Sequence, residues 1–113
     1  MKTTELGLKA ESAVIDMLED RDFEVIDRNW KTKVCEIDII AKKSGCIYFV
    51  EVKYRSSTAQ GDGFEYIANQ KIKRMSFAAE VWRQKYDWQG DYLLMAAAVS
   101  GLNCEQIELL ELN

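Results

Sequence analysis

Glu36, Asp38, Glu51 and Lys53 are the side chains here best suited to chemistry, and their spacing draws them together. They sit in two short segments, Glu36-Ile37-Asp38-Ile39-Ile40 and Ile47-Tyr48-Phe49-Val50-Glu51-Val52-Lys53, separated by a turn signal ending in Ser44-Gly45-Cys46. Both segments are rich in β-branched and aromatic residues, which favour strands. A hairpin bent at Ser44-Gly45 sets Asp38 opposite Glu51, Glu36 opposite Lys53 and Ile40 opposite Phe49. Alternation then puts the four charged residues on one face and Ile37, Ile39, Val50 and Val52 on the other. Opposed strand residues have Cβ atoms about 4.5–5.5 Å apart. Two carboxylates at ~5 Å repel by roughly 3 kcal/mol at an effective dielectric of ~20. Three things could relieve this: a proton on one carboxyl, the Lys53 ammonium, or a bridging divalent cation such as Mg²⁺, which takes one or two carboxylates plus waters and phosphate oxygens. A solvated hairpin face with a Glu36–Lys53 ion pair is the simpler alternative. Against it, the flanking Ile and Phe residues suggest a strand buried on both faces, where charges need partners.

Composition narrows the chemistry. The chain has no histidine, which excludes Ser-His and Cys-His nucleophile pairs and histidine metal ligands. Carboxylates, lysine, tyrosine or a metal must do the work. The three cysteines, Cys35, Cys46 and Cys104, form no Cys-x-x-Cys and are odd in number. Neither a disulfide framework nor a zinc site is expected, and a reducing cytosol fits best. Residues Met1-Lys2-Thr3-Thr4-Glu5 lack the apolar region of a signal peptide, and no apolar run reaches the ~18 residues of a membrane span. A cytoplasmic protein with no membrane partner is expected.

The net charge of −4 argues against a simple nucleic-acid binder, but its distribution does not. Residues 1–27 sum to −5, residues 28–85 to +6 and residues 86–113 to −5. Three of the six acids in the basic block are Glu36, Asp38 and Glu51.

The positioning elements follow from periodicity. Residues 5–21 read as an amphipathic helix with Leu6, Ala10, Ala13, Val14, Met17 and Leu18 as its apolar stripe. Glu11 borders that stripe, and Gly7 leaves room beside it. Residues 23–30, 33–41 and 46–55 read as three strands, and 56–63 as a polar, glycine-bearing loop. Asn69 is a plausible N-cap for a helix to about Lys85, buried through Ile72, Met75, Ala79 and Trp82. Lys71, Lys73 and Arg74 crowd its first turns and oppose the helix dipole; a phosphate backbone would explain them. Residues 91–100 read as a buried strand, and 105–112 as an edge strand or short helix. The order is α-β-β-β-α-β in one domain, residues 1–113, with a mixed central sheet flanked by helices.

Asp38 followed by Glu51-Val52-Lys53, with a helical Glu11 upstream, resembles the PD-(D/E)xK nuclease superfamily and its restriction-endonuclease-like αβββαβ core. More closely, the chain resembles the YraN family, which is similar to Holliday-junction resolvases. The matching stretches are Gly7-Leu8-Lys9-Ala10-Glu11, Arg28-Asn29-Trp30, Glu36 to Ala41 and Phe49 to Arg55, with Lys71 beyond. Together they cover about residues 5–83. Ala10 and Cys35 stand where that family usually has glycine, and Gly90-Asp91-Tyr92 where it has Arg-Phe-Asp.

The resemblance implies a Mg²⁺- or Mn²⁺-dependent endonuclease hydrolysing DNA, with branched DNA favoured by analogy. Asp38, Glu51 and the Val52 carbonyl would ligate the metal. Glu11 would bind a second metal or hold the water, and Lys53 would orient or deprotonate that water. Arg55, Gln70, Lys71 and Arg74 are candidate phosphate contacts. A homodimer would suit paired cuts across a junction. Two rival readings stay open: a catalytically silent nucleic-acid-binding module on the same fold, and a protein-interaction domain with a structural charged hairpin.

Overall fold

Ser44 and Gly45 both adopt positive φ, 52° and 77°, the conformation of a two-residue hairpin turn whose twist matches the strands. That turn joins β2 (Glu36–Lys43) to β3 (Cys46–Arg55). Lys43 faces Cys46, and the register runs without a slip through Ile40–Phe49 to Ile39–Val50, as the sequence predicts. The structure, a computed structural model, describes residues 5–55 and 69–112. The polar loop expected at 56–63 lies outside the described residues.

The remaining elements complete the expected order. The helix α1 spans Glu5–Asp20, and β1 spans Glu24–Lys31. After β3 come α2 (Asn69–Lys85), β4 (Asp91–Ser100) and β5 (Gln106–Glu111). The terminal element is therefore a strand. All five strands form one sheet in chain order. β3 and β4 run parallel, and the other neighbours are antiparallel. This is a mixed α/β sheet consistent with a restriction-endonuclease-like core.

The two helices cover opposite faces. Ala10, Val14 and Leu18 of α1 pack on Ile39, Ala41, Val50, Ala97 and Val99. Leu6, placed on the apolar stripe from periodicity, is instead 40 % exposed, because the first turn of α1 lies before the buried part of that stripe. Met75, Ala78, Ala79 and Trp82 of α2 pack on Ile40, Ile47, Phe49 and Leu94. Phe49 is fully buried and meets Trp82 and Tyr92 edge to face, each with centroids 5.5 Å apart. Burying such a ring is worth about 1.5–3 kcal/mol, and each edge contact adds roughly 0.5–1.5 kcal/mol. This contact fixes α2 against β3 two residues before Glu51.

Strict alternation fails at the register shift between Val25 and Asp27, and again at a second level of the sheet. Asn29 has φ 53°, a left-handed conformation that asparagine tolerates better than most residues. Arg28, before it, reaches α1; Trp30, after it, is buried on the α2 side. The partner strand changes face at the same level. Arg28 pairs with Ile39 and Trp30 with Ile37, and these two isoleucines belong to opposite cores. Ile37 therefore does not share a face with Ile39, Val50 and Val52, contrary to the alternation argument. The reversal falls on Asp38.

Candidate active site

Asp38 lies where the β2–β3 ladder stops. The last paired residues are Ile39 and Val50. One step on, the Val52 N–H donates to Asp38 Oδ2 at 2.8 Å, so a side-chain carboxylate takes the role of a ladder acceptor. The direct Asp38–Glu51 and Glu36–Lys53 cross-strand pairings do not form. Glu36 instead stands opposite Lys31 of β1.

The opening exposes a cavity of about 390 Å³. Glu11, Asp38, Glu51, Val52 and Lys53 all line it, so the candidate catalytic and metal-ligating residues meet in one place. Gly7 and Ala10 also line it, in keeping with the room expected beside Glu11. Phe49, Glu51 and Lys53 share the α2 side of β3 by strand period. α1 supplies Glu11 from the other side, because the gap at Asp38 opens the sheet between them.

Each acid has a different neighbourhood. Glu51 is only 13 % exposed and takes an ion pair from Lys71 of α2 at 3.1 Å. Glu11, 12 % exposed, lies 3.7 Å from Arg28 Nε, and its Oε1 accepts from Asn29 Nδ2 at 3.1 Å. Arg28 is itself tied to α1, donating to Leu8 O at 3.1 Å and Ser12 Oγ at 2.9 Å. Asp38 has no cation partner among the described residues. Burial first, then the charge of Glu51, push its carboxyl from 3.8 up to about 7, with Glu11 and Glu36 adding to the rise and the Val52 N–H opposing it. Lys53 has no hydrogen-bond or ion-pair partner among the described residues. Among the described residues, no three acidic or cysteine side chains are gathered as an ion-binding cluster; Glu51 and Glu11 are turned to basic partners.

A second cavity of about 600 Å³ adjoins the first, sharing Glu36, Glu51 and Lys71 with it. Gln70, Lys71 and Arg74 line this one, so three of the four expected phosphate contacts fall together. Lys71 is engaged by Glu51 rather than standing free. Arg55 lines neither cavity; it ends β3 opposite Ser100, about 13 Å beyond Glu51 at the usual strand rise. Sequence reasoning missed Asn29 and Arg28 as holders of Glu11. An asparagine inside a strand, where that residue is disfavoured, was the available signal.

The profile of the family described as "Uncharacterised protein family UPF0102" matches residues 10–107. The chain belongs to the UPF0102 family. It is 35 % identical over 105 residues to UPF0102 protein FN1370 of Fusobacterium nucleatum, covering 93 % of this chain and 87 % of that protein. It is 38 % identical over 85 residues to UPF0102 protein Lxx14785 of Leifsonia xyli, covering 75 % and 72 %. A UPF0102 protein of Cytophaga hutchinsonii is 29 % identical over 101 residues, covering 89 % of each. The UPF0102 profile thus spans every residue that lines the two cavities except Gly7. No helix among its described residues is long and apolar enough to cross a membrane.

Proposed function

We propose that this UPF0102 protein is a Mg²⁺- or Mn²⁺-dependent endonuclease that hydrolyses DNA phosphodiester bonds, with junction DNA as the favoured substrate by resemblance to the PD-(D/E)xK resolvases. The observation that carries this reading is that Asp38, bonded to the Val52 N–H but without a cation partner among the described residues, lines one cavity with Glu51, Glu11 and Lys53. The charges of Glu51, Glu11 and Glu36 act on Asp38 without a cation of its own among the described residues, which costs stability, and hard oxygen donors suit a divalent ion. When bound, such an ion lowers the pKa of its water and stabilises the developing phosphorane charge. Asp38 and Glu51 would hold it, with the Val52 carbonyl beside them. Glu51 would then exchange its Lys71 partner, leaving that ammonium for a phosphate. Glu11, steadied by Arg28 and Asn29, would position the attacking water, and Lys53 would orient it or take its proton. A two-fold dimer would serve paired cuts.

The turning of Glu51 and Glu11 to basic partners is the feature that favours the rival reading, a non-catalytic nucleic-acid-binding module. One experiment separates them. Labelled four-way junction, duplex and single-stranded DNA are incubated with protein in Mg²⁺, Mn²⁺ or EDTA, using wild type and Asp38→Ala, Glu51→Ala and Lys53→Ala. Metal-dependent cleavage lost in the three variants supports the nuclease. Binding in EDTA without cleavage in either metal supports the module.

A further inference from the structure

Helix α2 carries two stripes. One, Met75, Ala78, Ala79 and Trp82, is buried on the sheet. The other consists of Gln70, Lys73, Arg74 and Phe77, spaced i, i+3, i+4, i+7, which is one face of a helix. All four line the larger cavity. Phe77 is 54 % exposed although the core beside it has taken four residues of the same helix. Val34, 74 % exposed on the turn between β1 and β2, lines the same cavity. That turn is firmly built: Thr32 N–H donates to Cys35 O at 2.8 Å, and Thr32 Oγ1 accepts from Val34 N–H at 3.1 Å and Cys35 N–H at 3.2 Å.

A lone exposed apolar side chain means nothing. Here an exposed aromatic and an exposed aliphatic residue border one trough, with Lys33, Lys71, Lys73 and Arg74 against only Glu36 and Glu51. An apolar peptide would match Phe77 and Val34 but not the excess positive charge. A duplex would meet the charge through its phosphates, but its bases are stacked and turned away from an aromatic ring. A single strand offers both unstacked bases and phosphates, the pairing that stacking platforms in basic grooves recognise.

We propose that this trough binds a single-stranded nucleic-acid segment, with a base stacked on Phe77 and its phosphates on Lys73 and Arg74. Since the trough shares Glu51 and Lys71 with the carboxylate cavity, the strand would lead directly into it. This deepens the nuclease reading by naming the substrate class as DNA with an unpaired arm or flap at the cut. Only the link to cleavage rests on that reading.

The test is fluorescence anisotropy of the full chain in EDTA, with a labelled oligothymidylate and a blunt duplex of equal length as probes. Phe77→Ala should weaken oligothymidylate binding by about tenfold or more and leave duplex binding within about twofold. Phe77→Trp should restore binding and show quenching of the new indole by the stacked base. Lys73→Gln and Arg74→Gln should each flatten the dependence of log affinity on log salt by about 0.7. Oligothymidylate binding that is absent in wild type, or equal in wild type and Phe77→Ala, overturns the proposal. Cleavage of flapped and fully paired substrates in Mg²⁺ is measured in parallel. Phe77-dependent binding without cleavage would leave the trough standing and remove the nuclease. Cleavage indifferent to Phe77 and to the flap would leave the nuclease standing and overturn the link between trough and cleavage.

Discussion

Replacing Asp38 by asparagine removes one negative charge from the carboxylate cavity while keeping an oxygen that can accept from Val52 N–H, now 2.8 Å from Oδ2. The folded protein raises this carboxyl from 3.8 to about 7. Between those pH values the native state holds more protons than the unfolded chain, so stability falls as pH rises. The slope is about 1.4 kcal/mol per pH unit, and the burden levels off above about pH 8 at a ceiling of ~4 kcal/mol. Below pH ~3 it vanishes, because both states are protonated. Going from pH 5 to pH 8, the wild type should therefore lose about 2–3 kcal/mol that Asp38→Asn does not lose. Urea denaturation of both proteins in EDTA at the two pH values measures this double difference, which is free of any fixed offset between Asn and Asp. Adding Mg²⁺ at pH 8 should recover stability in the wild type by mass action and not in Asp38→Asn. A double difference under ~0.5 kcal/mol, or of opposite sign, would refute the claim that Asp38 carries the electrostatic burden of the cavity.

Other outcomes follow from single contacts. Lys71→Met frees Glu51 from its ion pair and removes a cation beside it, so Mn²⁺ affinity measured by calorimetry should rise about fivefold, equivalent to ~1 kcal/mol, while DNA affinity falls. Asn29→Ala removes the short polar side chain that eases the left-handed conformation and deletes the bond to Glu11, so its urea midpoint should report a loss of about 1–2 kcal/mol; Asn29→Gly should lose less. Phe49→Ala empties the fully buried junction of β3, Trp82 and Tyr92 and should cost about 3–5 kcal/mol in chemical denaturation.

The elements and the hairpin register were legible in the residues themselves. Ser44-Gly45 admits a turn that sets strand register locally, so Ile40 meeting Phe49 needed no distant contact. Apolar period marked Ala10, Val14 and Leu18 on one helix and Met75, Ala79 and Trp82 on the other, and it marked 91–100 as a strand covered on both sides. Glu11, Asp38, Glu51 and Lys53 were likewise nameable in advance, by charge inside apolar segments and by resemblance. What the chain could not disclose by itself lay at the end of the ladder. The left-handed Asn29, the side change between Ile39 and Ile37, and the carboxylate of Asp38 on Val52 N–H depend on two strands and a helix constraining one another. The Lys71–Glu51 pair and the trough under Phe77 likewise need α2 docked on β3. Strand and helix periods are local properties of a few successive residues; which charge finds which partner is decided only when distant segments pack and exclude water between them.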